Sequence, residues 1–205
     1  MSKMQRFILS GPCFYELNGL RLLLQETGYP VFADVAVKTP TPHDLFVLAL
    51  SGEPLLGWGR HVRRVHHYRR QLPCRMVVLV PPSLSGLQIF DGICPLISGR
   101  LPRAELVAQL KALCQAPQAL SHQPPSPSRL LNFRQGSSRR QLLKQYRDNA
   151  PLRGMSKSDY YHRERLLAVL GIPNMQTLSI VGRELLNFIS SDTAMTGQEY
   201  LLADR

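Results

Sequence analysis

The chain has 205 residues, 44% of them hydrophobic, and carries 25 Lys and Arg against 14 Asp and Glu for a net charge of +11. That length suits one medium domain or two small ones, the apolar share excludes a disordered chain, and no run approaches the roughly 18 apolar residues of a membrane-spanning helix. A balance this basic attracts polyanions, nucleic acid first among them.

The N-terminal MSKMQRFILSGPCFYE lacks the apolar core and small-residue cleavage site of a secretory signal, so a cytoplasmic location is expected. A strand is predicted at Arg6–Ser10, then a helix from about Glu16 to Thr27, with Leu17, Leu20, Leu23 and Leu24 at helical spacing and Gly28 as its stop. An alternating strand follows over Val31–Val37. The continuous apolar runs Asp44–Leu50 and Arg75–Val80 read as strands buried on both faces, with a basic helix, about Arg60–Leu72, between them. A last strand within Ile89–Ile97 leads to a helix from Pro102 through Leu113. Strands alternating with helices predict a five-stranded parallel sheet with helices on both faces over residues 1–114.

Residues 115–125 form a Pro-rich linker, and residues 126–205 read as wholly helical. Ser126 caps a helix ending at Gln135 before Gly136, and a second runs from about Ser138 to Tyr146. Ser156 and Asp159 fit a capping box opening a third helix that ends at Gly171, with Leu166, Leu167 and Leu170 inward. A fourth is expected from Met175 to Ile189. Tyr160 is expected inside and Tyr161 outside.

Cys13, Cys74, Cys94 and Cys114 form no CxxC pair and read as buried thiols. His61, His66 and His67 lack a nearby acid or cysteine to complete a metal site. Gly57-Trp58-Gly59 is too short for a phosphate loop, and no nucleophile with a base stands out, so neither catalysis nor a cofactor or metal is expected.

The segments FRQGSSRRQLLKQY and SKSDYYHRERLLAVLGI, in this order of helices, resemble the LuxR-type helix-turn-helix of response regulators. The N-terminal part is similar to the receiver fold that precedes it. Together they resemble the non-phosphorylated auxiliary regulators of the Rcs type in enteric bacteria. A working receiver needs clustered acids, an acceptor Asp and a Lys; here the corresponding stretches read Ser10-Gly11-Pro12 and Leu48-Ala49-Leu50-Ser51, and no Lys lies between Lys38 and Lys111. The resemblance therefore implies a pseudo-receiver without phosphotransfer.

The same resemblance implies that the helix from Ser156 enters the major groove of double-stranded DNA and that the chain works as a homodimer or as a heterodimer with a related regulator. Counting back from Leu170-Gly171 sets His162 on the family's phosphate-contacting position, while counting forward from Ser156 sets Arg163 there. Residues 121–171 hold ten Lys and Arg against three acids. Ser156, the cap, counts among the DNA-binding residues; Lys157, Ser158 and Tyr161 are candidates for base edges or nearby phosphates, Arg139, Arg140, Lys144, Arg163 and Arg165 for backbone contacts, and His162 or Arg163 for the phosphate hydrogen bond. The span from Gly136 to His162 is about six residues longer than the family pattern, and the first helix has Ser126 near the family's usual acid. Those departures motivate the alternative of a protein-interaction module that sequesters a partner regulator without binding DNA. The segment RHVRRVHHYRRQL, residues 60–72, is either a solvated helix face, a second polyanion surface or a pH-sensitive patch.

Overall fold

The computed structural model describes residues 5–33, 39–115, 157–182, 184, 185 and 187. Five strands, β1 (Phe7–Ser10), β2 (Val31–Ala33), β3 (Leu45–Ala49), β4 (Arg75–Val80) and β5 (Leu96–Ser98), form one sheet in the order β2-β1-β3-β4-β5. Every neighbouring pair is parallel. The sheet with its helices agrees with the expected α/β receiver-like architecture, whose doubly wound strand order this is.

Apolar runs become central strands here because both faces are covered, so inward and outward positions alike must be hydrophobic. Phe7, Leu9, Leu45, Val47, Val77 and Leu79 point to one side. There they meet Leu20 and Leu24 of α1 (Phe14–Gln25) and Leu106 and Leu110 of α3 (Arg103–Gln115). The alternate residues Ile8, Phe46, Leu48, Met76, Val78 and Val80 point to the other side, against Val62 and Val65 of α2 (His61–Gln71).

Beyond α2 this second layer is unusual. The β4–β5 connection has no α-helix but two short 3-10 turns, Pro82–Leu84 and Gln88–Phe90, which contribute Leu84, Leu87, Ile89 and Phe90. The space beside them is filled from far along the chain by α4 (Lys157–Leu170) and α5 (Met175–Val181). Leu166, Leu167 and Leu170 of α4, with Ile172, Leu178, Val181 and Leu185, join the same buried cluster as the sheet. Burying side chains of this size stabilises by about 1.5–3 kcal/mol each, which makes this packing a principal contributor to the layer.

Two glycine seams permit it. Gly171 ends α4 with φ +67° and lies so close to Gly86 that a β-carbon on Gly171 would sit 1.6 Å from the Gly86 carbonyl oxygen. At the second, the Gly57 N–H donates to the Ile180 carbonyl at 2.9 Å, and a β-carbon on Gly59 would sit 2.8 Å from the Leu185 amide nitrogen.

Several expectations need correction. The last strand is Leu96–Ser98, at the far end of the predicted window, because Gln88–Phe90 is used as a core-filling turn. β2 is described for Val31–Ala33 alone, residues 34–38 lying outside the described set. The fourth helix stops at Val181 instead of continuing unbroken, since Gly182 with φ +100° turns the backbone where it passes Gly57. Tyr160 is 61% exposed rather than inside, because only the last two turns of α4 meet the core and Tyr160 sits in the first. The linker at 115–125, the helices expected at 126–146 and the Ser156 cap fall outside the described residues.

Candidate functional site

In an open α/β sheet ligands settle at the carboxyl ends of the strands, where the strand order reverses. Here that point lies between β1 and β3. Backbone approach is tight: a β-carbon on Gly11 would sit 2.4 Å from the Ala49 carbonyl oxygen, and one on Gly99 would sit 1.8 Å from Ser51 Oγ. What fills the crevice is the protein's own Glu16, from the first turn of α1. Its Oε1 accepts hydrogen bonds from the Ser51 amide at 3.1 Å and the Ser51 hydroxyl at 2.5 Å, and its Oε2 accepts one from the Gly52 amide at 2.9 Å. Two successive N–H groups and a hydroxyl converging on one carboxylate make an anion seat. Beside it an open cleft of about 710 Å³ is bordered by Glu53, Pro82, Ser83 and Arg100.

Cys74 and Cys114 are buried as expected, whereas Cys13 and Cys94 are only half-buried. Burial pushes the Cys74 and Cys114 thiols up to about 11 and Cys94 up to about 12, so they stay protonated and weakly nucleophilic. Burial, with the Arg70 charge, pushes His66 down to about 4. His61 is also lowered by burial and by Arg60, against the pull of Glu53, whose Oε2 lies 3.4 Å from its Nε2. Among the described residues no three potential metal ligands converge, and no helix is long and apolar enough to cross a membrane.

The second location is the free end of α4. Lys157, Tyr161 and Arg165, at i, i+4 and i+8, share one exposed stripe, with Arg165 Nη1 at 3.5 Å from the Tyr161 hydroxyl. Tyr161 is 59% exposed, so two large aromatic side chains, Tyr160 and Tyr161, stand in solvent at the same helix end. His162 and Arg163 are half-buried on the flank nearer the core, the His162 ring 5.7 Å from that of Tyr161. His162 Nδ1 and Arg163 Nε are shielded from solvent without a hydrogen-bond partner among the described residues.

Of the residues singled out from sequence, α4 therefore gathers Lys157, Tyr161, His162, Arg163 and Arg165 within three turns, and Ser158 belongs to its first turn. Arg139, Arg140, Lys144 and Ser156 lie outside the described residues. Sequence reasoning missed Glu16 as an anion-like plug, since nothing in the chain links a first-turn glutamate to a loop 35 residues away. It also missed the exposure of Tyr160. No family model matches the chain, and neither a curated protein nor a solved structure matches it.

Proposed function

We propose that the protein is a phosphorylation-independent DNA-binding transcription regulator without catalytic activity. In this reading a pseudo-receiver α/β unit carries a LuxR-type helix-turn-helix that includes α4, and the chain acts as a homodimer or as the partner of a related regulator. The observation that carries it is the exposed outer face of α4, a helix anchored at its C-terminal end by leucines and presenting Lys157 and Tyr161 to solvent near its start, with Arg165 continuing the stripe further along. A helix held that way offers its N-terminal residues to a groove while its core contacts stay intact. Glu16 in the switch-point crevice supports the independence from phosphate, because the place a phosphoryl group would take already holds a carboxylate.

The test is fluorescence anisotropy of the full chain on pooled genomic duplex fragments, alone and with candidate partner regulators. Selected fragments should stay bound at 200 mM salt, and Lys157→Ala/Arg165→Ala should weaken them by about tenfold or more, each charged contact being worth on the order of 1 kcal/mol. Lack of fragment preference with every partner, or an indifferent double variant, would sink this reading.

One observation favours a second reading, a protein-interaction module that sequesters a regulator. The leucines that would hold α4 to the earlier helices of a helix-turn-helix are the ones buried against the α/β unit. Under that reading the chain captures a partner regulator while the α4 variant regulates as well as wild type.

A further inference from the structure

Helix α2 is the most basic element described: HVRRVHHYRRQ has no acid in its 11 residues. Its cations are not equivalent. Arg64 lies over the Tyr68 ring at 5.8 Å, and the Arg69 Nε donates to the Ile93 carbonyl at 3.1 Å, so both are used within the fold. Arg60, Arg63, His67 and Arg70 fall at intervals of three, four and three residues and are all exposed, which puts them on one solvent-facing stripe. Arg60 meets Glu53 at 3.1 Å while remaining 56% exposed. The stripe spans about 15 Å at the helical rise of about 1.5 Å per residue. Val62 and Val65, on the opposite side, pin the helix to the sheet, so the stripe is rigid.

Its location matters as much as its charge. α2 belongs to the same layer as α4 and α5, on the same face of the sheet. α5 reaches the turn that begins α2 through Gly57 and Gly59, and the His66 ring lies 5.9 Å from that of Phe90, in the turn against which α4 packs. The solvent sides of α2 and of the free half of α4 therefore both turn away from the sheet in one sense.

We propose that the α2 stripe of Arg60, Arg63, His67 and Arg70 is a second contact surface for the phosphate backbone of double-stranded DNA, engaged together with the exposed end of α4. The inference rests on the DNA-binding reading given above and adds where the backbone is held outside the helix-turn-helix. The charge argument favours a duplex as occupant. Over about 15 Å a duplex presents roughly nine phosphate charges, and a stripe of exposed cations matches that regular array without needing shape complementarity.

The test measures the salt dependence of full-chain binding to labelled genomic duplex fragments for wild type, Arg63→Gln/Arg70→Gln, Arg63→Lys/Arg70→Lys and Lys157→Ala/Arg165→Ala. Loss of two phosphate contacts should reduce the slope of log K against log salt by about 2, at about 0.9 per contact. The lysine variant should keep the wild-type slope, while unchanged Trp58 fluorescence verifies that the layer is intact. An unchanged slope in the glutamine variant, with binding still weakened by the α4 variant, overturns the stripe, leaves the regulator reading standing and points to an acidic protein as its partner. A lysine variant as impaired as the glutamine one also overturns it, since charge would not be the cause. If wild type binds no duplex at 50 mM salt, both readings fall.

Discussion

Asp44, 1% exposed at the entrance to the central strand β3, shows how one buried acid organises the N-terminal end of the sheet. Its carboxylate accepts from Arg6 Nε at 2.8 Å and Nη2 at 2.7 Å, from the Thr41 amide at 2.6 Å and from the Thr41 hydroxyl at 3.0 Å. Burial pushes the carboxyl up, but the Arg6 and Thr41 hydrogen bonds and the Arg6 charge outweigh it, leaving the pKa below the ordinary 3.8. A depressed folded value means that the unfolded chain binds the proton first in acid. The stabilisation is thus fully present above about pH 4 and is lost as pH falls through the folded value. Asp44→Ala should cost about 2–3 kcal/mol in urea unfolding near neutral pH, less than a fully buried pair because Arg6 keeps contact with water. It should also flatten the acid limb of the stability profile; an acid limb equal to wild type would show that Asp44 does not set it. In the sequence Asp44 is legible as the start of a strand, but its Arg6 partner is not, since the two meet only through the β1–β3 register.

At the scale of elements, the legible parts were those whose pattern is local. β1, β3, β4 and α1 follow from apolar runs and helical spacing, and the turns at Gly28 and Gly171 from positive-φ glycine. β5 was misplaced and Gly182 overlooked because their roles depend on distant neighbours: the 82–90 turns replace a helix only because α4 and α5 cover them. The α4 stripe was legible in composition, yet Tyr160 was not, because spacing alone cannot tell how far a helix overhangs its support. The two stops separate these cases experimentally. Gly28 has φ +81° and open space around it, so Gly28→Ala should lose about 1 kcal/mol from backbone strain alone. Gly171→Ala adds the clash with Gly86 and should lose roughly 3 kcal/mol or more, with faster hydrogen exchange across α4 and α5. Equal losses at the two positions would mean that the seam is not close-packed in solution.

At the scale of the whole molecule, residues separated by nearly the full length of the chain share one core. Trp58, the single tryptophan, is completely buried in that core, its Nε1 donating to the Leu50 carbonyl at 3.3 Å, beside the glycine seam that receives α5. Its fluorescence consequently reports sheet packing and helix docking together. Urea unfolding followed by Trp58 emission should coincide with that followed by far-ultraviolet circular dichroism, as for a single cooperative unit. Separated midpoints would reveal that α4 and α5 leave the sheet before it melts.

Glu16 bears on how such a molecule can be controlled. A carboxylate carried by α1 behaves as a tethered ligand for the Ser51–Gly52 seat, present at an effective concentration set by the fold and not by the surroundings. A free oxyanion must outcompete a group that never diffuses away. An anion arriving at this end of the sheet would therefore have to displace the Glu16 carboxylate from the Ser51 and Gly52 donors before it could bind there.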